Sequence, residues 1–164
     1  MAKRWESLQY LLHDDNQPKY RRIVRAFKHF EFAHYIYLAE IRHPVFHSAL
    51  ESMICASYYH NKAQVTQRLP QLVPFINAEQ ANDIYLACCD FKHAAQALMQ
   101  QKKSEYGIPS PSDQRRIDAV MLLQRAVSFL LLESLRNRKF ADILIDIEAL
   151  KLKYPVHDKK GKLV

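Results

Sequence analysis

The chain has 164 residues, of which 49% are hydrophobic and 25% are charged; this is an ordinary composition for one globular domain and excludes a disordered chain. Only two residues are glycine, and strand-rich folds need glycine at turns and bulges, so the composition favours helices. The net charge of +7 favours partners that carry negative charge.

The three cysteines are an odd number, and Cys88 and Cys89 are adjacent. Neighbouring residues on a helix point about 100° apart, which is poor geometry for a disulfide, so we expect reduced thiols and a cytoplasmic location. No leader-like segment occurs, and the longest apolar run, 126–132, is interrupted by Ser128 and too short to cross a membrane. No glycine-rich phosphate loop, CxxC pair or nucleophile elbow occurs either, so neither a membrane nor a cofactor is predicted.

In chain order, the apolar spacing predicts a first helix over 3–13 and then one long helix over 18–42. Pro18 suits the first turn of the long helix, because the first N–H groups of a helix have no partner within it. The first half of the long helix is basic on one side, which should face water. Its second half is aromatic on both sides, and we expect it to be buried.

Several shorter helices follow the long one. The apolar spacing predicts a helix that starts at 42–44 and ends near 61, and a short one that ends at 69. It predicts three more helices, over 78–106, over 111–136 and from 140 to about 155. Asn77 and Gln80 have the spacing of a capping box at the start of one of these helices. The segment 111–136 is apolar almost all round, which is typical of a helix in the middle of a bundle.

These elements predict an all-α fold with about six helices in a single domain over residues 1–155. The long second helix and the apolar sixth helix should form its centre. The last residues, 156–164, are basic and lack apolar periodicity, so we expect a flexible tail.

The positive charge is concentrated at the two ends of the chain. Residues 1–30 carry seven Lys and Arg against three acidic residues, and residues 151–164 carry five against one. Concentrated charge of this kind favours electrostatic docking of nucleic acid or of an acidic protein. Such binding should weaken steeply as the salt concentration rises. The leading hypothesis is therefore a non-enzymatic binding module. Its candidate binding residues are Arg21, Arg22, Arg25 and Lys28 on the long helix, with Lys159, Lys160 and Lys162 in the tail.

Metal ligation is an alternative, because Glu31 and His34 have the spacing of the carboxylate–histidine pairs found in di-iron bundles. Asp90 and His93 share that spacing but fall away from the apolar side of their helix, so the ligands do not converge. We therefore predict no metal site. Glu31 and His34 are expected instead to form a buried, hydrogen-bonded couple.

Ribonuclease chemistry is a second enzymatic alternative. Arg22 and His29 are separated by six residues, which is similar to the Arg-x(4–6)-His element of HEPN-type nucleases. In that family the element lies near the end of a late helix, whereas here it opens an early one. A two-residue pattern has little specificity, so an enzyme is the less favoured interpretation. His43 and His47 have a zinc-compatible spacing, but Pro44 should place them in a loop.

A protein–protein adaptor or self-assembling subunit is the main competing hypothesis. Tyrosine is enriched at protein interfaces, because it offers an apolar ring and a polar hydroxyl together. The chain has nine tyrosines. The candidates for such a surface are Tyr35, Tyr37, Tyr58 and Tyr59.

Overall fold

The computed structural model describes residues 18–57, 59, 61–98, 111–158 and 160–163, and they form an all-helical structure. Seven helices lie in this part of the chain, against about six predicted for the whole. They are α1 (Arg21–His34), α2 (Ala39–Ile54), α3 (Asn61–Leu72), α4 (Ala78–Leu98), α5 (Pro111–Arg136), α6 (Arg138–Ile145) and α7 (Ile147–Lys153). The predicted helix over 3–13 lies outside the described residues. The all-α prediction is confirmed, and among the described residues the only β pairing is an isolated bridge between His157 and Leu163.

The predicted long helix over 18–42 is wrong, because the chain breaks it into α1 and α2. The connection 35–38 has the sequence Tyr-Ile-Tyr-Leu, and aromatic and β-branched residues lose side-chain freedom in a helix. The N–H of Tyr35 donates to the carbonyl of Phe32 at 3.0 Å, a tightened turn that is common where a helix ends. A start of the next helix at 42–44 is also wrong, since α2 begins at Ala39 and includes Pro44.

The helix α2 is the element that holds the fold together. It packs against α1, α3, α4, α5 and α6. Its buried apolar side chains are Phe46, Ala49, Leu50, Met53 and Ile54. The helix α5, expected at the centre, buries Leu123 and Leu130 on one side but exposes Met121 and Leu132 on another. In the described part of the chain, α5 is therefore amphipathic and α2 takes the central position.

Two arginines from different helices satisfy the carbonyl groups at the C-terminal end of α2. From α1, Arg22 donates to the carbonyls of Ser52 and Met53, at 3.0 and 3.2 Å, and to that of Cys55. From α3, the fully buried Arg68 donates to the carbonyl of Ile54. The last carbonyls of a helix have no partner within it, and cations are favoured there by the helix dipole. This double-arginine cap joins α1, α2 and α3.

Local sequence signals account for several of the helix ends. Gln80 donates its N–H to the Asn77 side chain at 2.8 Å, and the Gln80 side chain accepts from the Asn77 N–H at 3.0 Å, so the capping box is confirmed. The single last helix predicted from 140 to about 155 is two helices, because Asp146 caps a new one by accepting from two backbone N–H groups. Among the described residues, no helix combines the length and apolar character needed to cross a membrane.

Candidate functional site

One side of α1 is exposed along its whole length and changes from basic to aromatic. We call it the α1 stripe, and its residues are Arg21, Arg25, Lys28, Phe32 and Tyr35. Successive members are three or four residues apart, so at 100° per residue the four members within α1 project within about 40° of one line, and Tyr35 follows directly after the helix. The stripe extends about 21 Å at a rise of 1.5 Å per residue. The opposite side of α1 buries Ile23, Ala26 and Ala33 against the core.

The aromatic half of this helix departs from the sequence prediction. The sequence predicts burial on both sides, yet Phe32 is 58% exposed and Tyr35 is 73% exposed. The helix ends at His34, and in the described part of the chain no other element covers this side of its last turns. An exposed aromatic pair that continues a cationic line is thus the feature that the sequence interpretation missed. The sequence signal that could have revealed this feature is the three- and four-residue spacing of the five stripe residues.

Arg22 lies on the flank of α1 and points inward rather than along the stripe. Its guanidinium forms part of the double-arginine cap of α2. Burial lowers the pKa of Arg22, and the nearby Cys55 opposes that shift. An arginine stays protonated through such a shift, because its pKa starts above 12. Arg22 therefore anchors α1 to α2, and the neighbouring Arg21 and Arg25 are left exposed.

A cleft of about 370 Å³ lies beside the stripe, between α1 and α2. Arg22, Arg25 and His29 line it from α1, and Glu51 lines it from α2. The hydroxyls of Ser48 and Ser52 on the α2 wall donate back to carbonyls of their own helix. The described lining residues thus include two guanidinium groups, one of them bonded to carbonyls of α2, and one carboxylate. This balance of charge favours a ligand with negative charge.

The tail lysines lie in a different place from the basic residues of α1. Lys160 lines a second cavity of about 510 Å³ together with Lys62 of α3, and no residue lines both cavities. The described tail residues are held on α3, where Gln67 pairs with both the N–H and the carbonyl of His157 at 2.9 and 2.7 Å. His157, near the start of the predicted flexible tail, therefore lies against α3. Lys160 and Lys162 are exposed there, and Lys159 lies outside the described residues.

Glu31 and His34 do not form the buried couple that the sequence predicted. Both are exposed and lie on the last turns of α1. The Nδ1 atom of His34 lies 2.7 Å from the Phe30 carbonyl, and its ring packs edge-on against Phe46. The described residues include no group of three or more His, Cys, Asp or Glu side chains that could hold a metal ion.

His43 and His47 are also misplaced by the sequence prediction. Both lie within α2 rather than in a loop, and both are buried. Pro44 is the sixth residue of α2, past its first turn, so it removes one backbone hydrogen bond from the helix, which nevertheless continues to Ile54. The His43 ring packs against Phe91 with centroids 5.0 Å apart. Burial, reinforced by repulsion from His47, lowers the pKa of His43 to about 3, so this histidine is neutral and structural.

The positions of Arg22 and His29 do not support the similarity to nucleases. Arg22 and His29 line the same cleft, but the Arg22 guanidinium is occupied by the carbonyls of α2. Comparisons of the chain with protein-family models, curated proteins and solved structures find no match. Function is therefore inferred from the α1 stripe and the cleft beside it.

Proposed function

We propose that this protein is a non-enzymatic module that binds nucleic acid through the α1 stripe. The observation that carries the proposal is the alignment of Arg21, Arg25 and Lys28 along one exposed line of a helix. Positive groups in the first turns of a helix oppose its dipole, so helix stability does not explain them. A linear array of cations matches the regular array of phosphates along a nucleic-acid strand.

The surroundings of the stripe support a ligand with negative charge. The cleft beside it is lined by Arg25 and His29, and Glu51 is the single acidic group among its described lining residues. Arg22 fixes α1 in position through its hydrogen bonds to α2. A cationic surface on a rigid helix loses less conformational freedom on binding than one on a loop. Lys160 and Lys162 would form a second and separate basic contact.

The test is fluorescence anisotropy with a labelled oligonucleotide over a series of salt concentrations. We expect affinity to fall steeply with salt, because phosphate contacts release counterions. The double variant Arg25→Glu/Lys28→Glu should bind more weakly. Each cation that no longer neutralises a phosphate of a single strand reduces the slope of log K against log salt by roughly 0.7, so the two substitutions should reduce it by roughly 1.4.

The matched control is Arg136→Glu/Lys139→Glu. It changes the net charge equally, at two exposed basic residues that are also three apart. It should therefore leave the salt slope as in the native protein. No binding at low salt, or an equal effect of both double variants, would contradict the proposal. Binding of an acidic protein without any binding of nucleic acid would assign the stripe to that partner instead.

A second candidate function is a protein–protein adaptor, favoured by exposed apolar side chains where α1 meets α2. Tyr37 is almost fully exposed, and Leu38 and Ile41 follow it on the surface. Among the candidates predicted from the sequence, Tyr35 and Tyr59 are exposed as well, and Tyr58 lies outside the described residues. A monodisperse monomer that captures no protein partner, measured by light scattering and pull-down, would argue against it.

A further inference from the structure

The aromatic half of the α1 stripe offers flat ring surfaces to a ligand. The rings of Phe32 and Tyr35 are mostly exposed, and the nearly fully exposed Tyr37 follows two residues later. In the described part of the chain, none of the three contacts another ring. Exposed aromatic side chains reduce solubility without adding to the core, so a cluster of them on one surface indicates a binding site.

The order of the residues along the stripe relates these rings to the cations. Arg21, Arg25 and Lys28 occupy the first half, and Phe32 continues the same line one turn beyond Lys28. From Lys28 to Tyr35 the helix rises about 10 Å. A ligand that lies along α1 therefore meets positive charge at one end and aromatic faces at the other.

We infer that the ligand of the stripe is a single-stranded nucleic acid, with its phosphates on Arg25 and Lys28 and its bases stacked on Phe32 and Tyr35. This inference rests on the proposed function and adds the class of ligand. Proteins that bind single strands combine a positive surface with aromatic platforms for the bases. In a duplex the base faces are covered by neighbouring bases, so a duplex has no group that the two rings would bind in this way.

The other anionic ligands fit the stripe less well. An acidic peptide supplies carboxylates for Arg25 and Lys28 but no flat partner for the rings. A helix that binds a membrane surface needs an exposed apolar side along its length, whereas the apolar side of α1 is buried: Ile23, Ala26 and Ala33 face the core.

The experiment compares three labelled probes of equal length with the full chain: oligothymidine, an abasic strand with the same backbone, and a duplex. The native protein should prefer oligothymidine. The variant Phe32→Ala/Tyr35→Ala should lose affinity for it by about 10- to 100-fold, with little change for the other two probes. Alanine is the best helix former, so α1 should remain folded, which circular dichroism checks.

Two controls separate stacking from other effects. The exchange Phe32→Tyr/Tyr35→Phe keeps both rings and the composition, and it should bind oligothymidine as the native protein does. Tyr59→Ala removes a 77% exposed ring outside the stripe and should also have no effect.

The contrary results distinguish a failure of the stacking inference from a failure of the proposed function. Equal affinity of the native protein for all three probes, or unchanged oligothymidine binding by Phe32→Ala/Tyr35→Ala, overturns the stacking inference and leaves nucleic-acid binding in place. No binding of any probe at low salt overturns the proposed function as well. Binding of phosphatidylserine vesicles without binding of oligothymidine likewise overturns both.

Discussion

The buried histidine of α2 predicts a specific loss of stability in acid. His43 is 0% exposed, and neither ring nitrogen has a hydrogen-bond partner of good geometry among the described residues. Burial and repulsion from His47 lower its pKa from 6.5 to about 3, opposed by a backbone contact with Ile84. Above pH 6.5 the ring is neutral in the folded and unfolded chains alike. Below pH 6.5 the unfolded chain takes up a proton that the folded chain refuses until about pH 3, so stability falls across that range.

The size of this effect follows from the two pKa values. At pH 5 the solution is 1.5 units below the pKa of 6.5 in the unfolded chain and still above the pKa of about 3 in the folded chain. Protonation therefore favours the unfolded state by about 2 kcal/mol, at 1.36 kcal/mol per unit. His43→Leu removes the titrating group and keeps an apolar side chain of similar size. We therefore expect the drop in unfolding free energy between pH 8 and pH 5 to shrink by about 2 kcal/mol in this variant.

The assay is urea denaturation followed by circular dichroism at the two pH values. His157→Gln is the matched control, because this histidine is exposed and its hydrogen bonds to Gln67 use its backbone. The control should show the same drop as the native protein. If His43→Leu also shows the full native drop, His43 does not carry the acid sensitivity and the reasoning from its burial is refuted.

Three further predictions concern the contacts that hold the helices and the tail. Arg68→Leu should cost about 3 kcal/mol, because it leaves the buried carbonyl of Ile54 and the partly buried carbonyl of Tyr154 without a donor. Thermal unfolding beside the exposed-site control Arg138→Leu measures this, and equal stability of the two variants would contradict it. Asp146→Ala should cost about 1 kcal/mol, because α7 loses its N-cap, whereas Glu148→Ala in the same turn should cost less in the same assay. Gln67→Ala should speed amide exchange at His157, whose N–H it holds; an unchanged exchange rate would show that the tail is held by other contacts.

The sequence predicted well those features that depend on neighbouring residues. The capping box of Asn77 and Gln80 is one such feature. The start of α5 at Pro111 and its end at Arg136 are also where the local sequence predicted them. The break after His34 is different, because the aromatic residues that follow are compatible with a buried helix as well as with an exposed connection. Only the packing of α2 against α1 decides between the two.

The candidate site was predictable in part for the same reason. The exposed positions of Arg21, Arg25 and Lys28 agree with the side of the helix that the sequence made basic. The inward position of Arg22 depends on where the end of α2 lies, and no spacing within α1 contains that information. Likewise, the exposure of Phe32 depends on how the described helices pack around the end of α1, which a helical wheel does not represent.

The double-arginine cap ties the folding of three helices to one another. The end of α2 has its full set of hydrogen bonds only when Arg22 of α1 and Arg68 of α3 are both docked. Undocking either helix would remove donors from the carbonyl groups at the end of α2, so α1, α2 and α3 should open together as one cooperative unit. A ligand bound to the outer side of α1 would then slow amide exchange not only beneath it but across all three helices.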